Sequence, residues 1–282
     1  FRLARHLGVS FGILPFSNIG YSYSSNRTLE EVSGEDDLSY ENTYTGSGGL
    51  HQVYFGMGWE PFKGFSLGAN ISYLWGSYDR SVTNSYSDSY INTLSKYYSA
   101  SVNSYKLDLG LQYTAKITKK DTLGLVYSFG HKLNADPKCV VLSTNSQTYV
   151  ADTTNYSVKD GLEIPAMYGA GLMWNHDGKV KVGVDYTLQK WSECKYPVYT
   201  VVNNTPQYVL SDNMFSDRHK FIVGGEICPD ENSRNFFKRV KYRIGASYAT
   251  PYVKINGYDG PKEYSVTAGF GRPIMLKINN RS

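Results

Sequence analysis

Apolar and polar residues change places at every second position along most of this chain. Leu67, Ala69, Ile71, Tyr73 and Trp75 alternate with Ser66, Gly68, Asn70 and Ser72. Leu107, Leu109, Leu111 and Tyr113 alternate with Lys106, Asp108, Gly110 and Gln112. The same pattern runs through Lys181 to Gln189 and through Lys241 to Tyr248, with weaker copies near 8–24, 50–60, 122–132, 165–174, 217–227 and 263–273. A period of two is the mark of a strand with two unlike faces, and the count predicts about ten strands. Composition agrees: the 282 residues include 26 Tyr and 27 Gly, while Ala and Leu are sparse. These proportions favour an all-β chain with many turns over a helical bundle or a Rossmann-type enzyme. No apolar run approaches the ~18 residues of a membrane helix. The net charge of +4 is scattered, with no basic stripe, so nucleic acid is excluded as a partner.

The connections alternate in length. Short turns occur at Pro61–Gly64, Thr118–Asp121 and Asn175–Lys179, with a longer one from Pro229 to Arg239. Between them fall polar segments at 26–47, 80–100, 135–161 and 193–214, which read as long loops. Short turns at one end and long loops at the other describe an antiparallel up-and-down barrel of the outer-membrane type. A soluble sandwich gives the same alternation with the apolar face turned to a core.

Three details favour the membrane. The polar face carries Gly and small hydroxyls with isolated charges, as a crowded lumen would. Aromatics gather at strand ends, with Trp59, Phe62, Phe65 and Trp174 by short turns and Trp75 and Trp191 toward the long loops. Strands of about ten residues suit a tilted bilayer crossing. On this reading the lipid bilayer is a partner. Asn70, Lys106, Asp108, Gln112, Lys181, Asp185, Gln189 and Arg243 line the lumen, because a charge facing lipid near mid-bilayer costs about 2–4 kcal/mol. Asp185, beside Lys181 and Gln189, serves to neutralise the lumen, and Trp191 reads as a girdle residue.

Ordered motifs add a resemblance. Leu162-Glu163-Ile164-Pro165-Ala166 leads to Gly169 and Gly171, then through a tight turn to Asp185-Tyr186 and Trp191-Ser192. Arg243, Gly245 and Tyr248 precede Pro251. With Gly8–Ser17 and Gly46–Leu50 upstream, this order resembles the FadL-like outer-membrane transport family in the version found in Bacteroidota. The resemblance implies a barrel of about fourteen strands around an N-terminal hatch. Residues 1–282 then form one barrel domain as a fragment, lacking the hatch and the terminal strands. It also implies a third strand kinked to open a lateral exit. Pro15 and Gly20 are the candidates, since proline cannot donate to a ladder and marks an edge, bulge or bend.

The function implied is passive uptake of hydrophobic small molecules such as fatty acids through the bacterial outer membrane, with no cofactor. Bound hydrophobic ligand or detergent would mark it. The rival is a FadL-like barrel that no longer transports and anchors other outer-membrane or envelope proteins, as in type 9 secretion. Long Tyr-rich loops motivate that reading, since Tyr supplies contact area at low entropic cost. Catalysis has little support: five His stand singly, and no nucleophile elbow, P-loop or zincin motif occurs. The spacing of Cys139, Cys194 and Cys228 does not suit a metal. Cys139 and Cys194, at long-loop ends, can form a bridge or stay as buried thiols. The acidic run from Glu30 to Asp37 offers oxygen ligands for Ca²⁺ or is a solvated loop.

Overall fold

The computed structural model describes residues 1–4, 6–29, 38–88, 90–145, 147–230, 233, 235–255 and 257–271. β1 (Arg2–Ala4) leads into four long strands: β2 (Leu7–Leu29), β3 (Leu38–Phe62), β4 (Phe65–Tyr86) and β5 (Thr93–Lys116). After β6 (Asp121–Gly130) come four shorter pieces, β7 (Leu133–Ala135), β8 (Lys138–Thr144), β9 (Ala151–Ser157) and β10 (Leu162–Ile164). β11 (Met167–His176) and β12 (Val180–Gln189) form a hairpin, as do β13 (Tyr196–Val202) and β14 (Thr205–Ser211). β15 (Arg218–Ile227) and β16 (Lys241–Ala249) follow, then the short β17 (Lys254–Ile255) and β18 (Tyr258–Asp259), and finally β19 (Glu263–Gly271).

The main sheet runs β1-β2-β3-β4-β5-β6-β11-β12-β15-β16-β19, and all its pairings are antiparallel. Apart from the three-residue β1, these are the ten strands marked by the alternation. The apolar face is open along their length: Ile71 is 53% exposed, Leu111 44% and Ile244 67%. An apolar face left bare across so many strands is a surface made for lipid. Aromatics rim it. Phe62 stacks on Phe65 at the short-turn end, and Trp75 meets Tyr73 and His51 toward the other. From Phe65 to Trp75, at about 3.4 Å per residue and a tilt near 45°, the rise is about 24 Å, the height of a barrel's apolar band.

The strands differ greatly in length. β6, β11, β12, β15, β16 and β19 have nine or ten residues, enough to cross a bilayer. β2 to β5 have 22 to 25, so one wall continues for roughly 40 Å along the strands past the upper aromatics. β8 and β9 extend this tall wall by pairing on the upper part of β5. Much of the polar segments at 26–47, 80–100, 135–161 and 193–214 is therefore strand, where the sequence predicted loops.

A seam separates the two levels. The β2 register slips between Pro15 and Ser17, a bulge of the kind predicted for Pro15, and β2 stays paired to β3 on both sides of it. Gly20 lies above it, opposite Ser47. Beside the bulge stand Gly48 (φ 108°) and Gly76 (φ 144°), where a Cβ would strike the carbonyls of Ser77 and Gly49. Bulges bend strands, and only glycine tolerates such angles in close contact. At this height the polar face turns apolar. Leu50, Leu74 and Val102 are buried against Leu133 of β7, with Phe16, Tyr78, Ala135, Leu162 and Ile164 packed around them. β7 pairs with β10, and together they form a cap on that face.

A charge placed on each face tests which one meets lipid. Leu111→Arg, two residues inside the lower aromatic rim, should impair assembly by about 1–2 kcal/mol, while the neighbouring Gln112→Arg is tolerated. Folded yield and heat-modifiable gel migration after refolding into detergent measure both; the reverse pattern would rule out a lipid-facing Leu111.

Candidate functional site

The predicted lumen residues fall into separate groups on the polar face. Asn70 stands opposite Asp108, which forms an ion pair with the buried Lys106. Gly130 faces them because a Cβ there would meet the Asp108 carboxylate. Gln112 and Asp185 border a hollow of about 360 Å³, shared with Thr114, Thr122 and Asn175. Lys181 does not neutralise Asp185: its Nζ lies 3.1 Å from Glu226, which also accepts from Arg243 Nε at 2.7 Å. Gln189 stands at the upper end, where its Oε1 accepts from the Trp191 indole at 2.9 Å. Glu226, missed from sequence, was marked only by its place on the polar face opposite Lys181.

The cap is anchored by Glu163, 9% exposed. Its carboxylate meets Lys132 Nζ at 2.9 Å and accepts from the Lys195 backbone N–H at 2.6 Å. Lys132 also donates to the Glu193 carbonyl at 2.7 Å, tying the cap to the 3₁₀ turn Trp191–Glu193. Cys194 is buried beside this turn, and Cys139 lies under the tall wall's inner side; both thiols are free, and burial pushes each up to about 11. Cys228 is also a free, buried thiol, near the short-turn end. The acidic run from Glu30 to Asp37 lies outside the described residues.

Above the seam the wall's two faces differ. The outward one carries hydroxyls bonded across strands: Thr45 to Ser81, Ser99 to Asp79 and Thr83 to Ser95. The inward one carries tyrosines that meet the β13–β14 hairpin. Tyr156 packs on Tyr199 and Tyr208, and Tyr98 stacks on Tyr196. From Tyr196 the contacts continue to Phe215, then to Tyr252 and Trp191, whose rings stack with centroids 4.6 Å apart. Trp191, expected in the girdle, is thus held by loop packing. Asp217 fixes this corner, accepting from Lys190 Nζ at 2.7 Å and from the Ser192 backbone and hydroxyl.

Solved structures share this fold. The CymD monoaromatic hydrocarbon channel has 16% identity and a TM-score of 0.51, over 94% of this chain and 77% of that one. The deltaS2 mutant of the TodX monoaromatic hydrocarbon channel has 13% identity and a TM-score of 0.54, over 95% of this chain and 79% of that one. With the exposed apolar band and its aromatic rims, this defines a transmembrane antiparallel β-barrel of the bacterial outer membrane. The neighbours are FadL-family hydrocarbon transporters, as the motif resemblance led us to expect. The family model that matches is nevertheless a different one: it is described as BamG and covers residues 1–281, so the chain belongs to the BamG family. Comparison with curated proteins gives no match.

Burial would raise the Asp217 carboxyl, but the hydrogen bonds from Lys190 and Ser192 outweigh it and hold the group below its usual range. A depressed carboxylate stabilises the folded corner above its unfolded pKa, near 4, and that contribution is lost as pH falls through the lower folded value. The fluorescence of Trp191, read against a Trp191→Phe control, should stay constant from neutral pH to about 5 and shift below 4. In Asp217→Asn the acid transition should vanish; its persistence there would assign it to another group.

Proposed function

We propose that the chain is a barrel subunit of a larger outer-membrane assembly and presents its tall wall to other envelope proteins. The observation that carries this reading is the cap. Leu50 and Leu74, with no exposed surface, are sealed beneath β7 and β10 at the height where a conduit through the polar face would open. Above it the inward tyrosines are largely engaged with a hairpin, and the outward face is a flat field of hydroxyls that suits wet, polar docking. The BamG designation, lettered as one component of a set, supports the same reading.

A second reading keeps passive transport of hydrophobic molecules, fatty acids among them, with lateral exit beside the Pro15 bulge. It draws on the fold shared with CymD and TodX, whose structures are described as monoaromatic hydrocarbon channels, and on the hollow beside Asp185. Neither reading needs a cofactor or a catalytic group. Under both, Asn70, Lys106, Asp108, Gln112, Lys181, Asp185, Gln189 and Arg243 line the lumen.

Gentle detergent extraction from the native membrane, followed by size analysis and mass spectrometry, separates the two. The assembly reading expects a particle much larger than 31.7 kDa plus detergent, with defined companion proteins. A chain that runs alone, together with vesicles that take up toluene or laurate only when it is present, would replace that reading with transport.

A further inference from the structure

The tall wall carries, on its inward face, a row of residues that the subunit reading does not use. Strand register aligns Tyr21, Gly46, Arg80 and Tyr98 side by side across β2, β3, β4 and β5. One step further up, Lys96 stands opposite Val82, on the same face as Arg80. The Tyr21 ring lies over Gly46, where any Cβ would collide with it. Tyr21 is 39% exposed and Tyr23 57%, so this stretch of the wall is open to solvent.

Two cations stand on this face. Arg80 donates to the Tyr196 hydroxyl at 2.5 Å, with its guanidinium carbon 5.9 Å from that ring's centre. Lys96 Nζ is 5.1 Å from the centre of the Tyr199 ring. Among the described residues neither has a carboxylate partner. Asp79, next to Arg80 in the chain, lies on the outward face and accepts from Ser99 at 2.6 Å. A guanidinium with spare donors and an ammonium, held among phenols without counter-charge, favour an incoming anion.

We infer that this stretch of the wall binds an acidic saccharide, with a uronate carboxylate held by Arg80 and Lys96 and sugar faces against Tyr21 and Tyr23. Tyrosine suits such a ligand because its ring covers C–H surface while its hydroxyl bonds to sugar hydroxyls. An alkyl carboxylate would need an apolar trough, and the neighbouring aliphatic cluster of Leu50, Leu74 and Val102 is closed. A small inorganic anion would leave the tyrosine faces unused. The saccharide can arrive free or attached to a lipid of the same membrane; the recognition chemistry is shared.

Calorimetry on the full chain in detergent tests this with tetragalacturonate, a neutral galactose tetramer and laurate as probes. Flotation with vesicles carrying a uronate-bearing lipopolysaccharide supplies the membrane-attached form. Binding of tetragalacturonate, of those vesicles or of both, but not of the neutral tetramer, supports the site and identifies the source. Arg80→Gln and Lys96→Gln should each weaken binding roughly tenfold, Gly46→Val should weaken it by displacing Tyr21, and Asp79→Asn should leave it unchanged. Heat-modifiable migration verifies that each variant is folded. Equal affinity for the neutral tetramer, Arg80-dependent binding of laurate at least as tight, no loss in folded Arg80→Gln and Lys96→Gln, or no binding in either form overturns the assignment. The extraction experiment is independent, so this site can fail while the subunit reading stands, or the reverse.

Discussion

Everything below the seam depends on one constraint: inside hydrocarbon, no water can satisfy a backbone N–H or C=O, so each must find its partner in the next strand. The antiparallel registers from β2 to β19 meet that demand for the strands between those two. Once the ladder is laid, the pleat dictates the rest. A one-residue slip would carry Asp108 or Arg243 to the lipid side, so the charges fix the register as firmly as the leucines do. Glycine on the polar face leaves room for long side chains, as Gly130 does beside Lys106 and Asp108.

The same constraint explains what could be read from sequence. Between the aromatic rims one face meets lipid and the other does not, so Leu67 to Trp75 and Lys106 to Tyr113 announce themselves as strands. Above Trp75 both faces are polar. Ser77, Asp79, Ser81 and Thr83 alternate with Gly76, Tyr78, Arg80 and Val82, a pattern with little hydrophobic contrast. Periodicity was silent there, and a paired wall read as loop. The β13–β14 hairpin did leave a local signal: Asn203 and Asn204 form its two-residue turn with φ of 49° and 60°, the backbone such turns demand and asparagine tolerates.

The functional groups were legible to different degrees. Pro15 predicted a break in its strand, and the bulge is there, but Gly48 and Gly76 show it to be one part of a seam crossing three strands. That extension depends on register between distant segments, which a single strand's pattern does not contain. Asp185 reads from sequence as a neutralising charge beside Lys181; Glu226, opposite Lys181 on the next strand, is the carboxylate that meets the lysine. Trp191 shows the same limit, because its neighbours Phe215 and Tyr252 arrive from loops with no periodic signature.

The tall wall also bears on the order in which the chain can fold. β2 to β5 are consecutive hairpins, each strand pairing with its neighbour in sequence, so each can zip from its own connection at little cost in loop closure. The cap is of another kind. Leu133 and Leu162 must come from either side of the β8–β9 excursion to meet Leu50, Leu74 and Val102, residues far earlier in the chain. The cap therefore docks on a wall already built. A chain cut before β10 and refolded into a membrane would hold an uncapped palisade, with its leucines bare to the water above the bilayer.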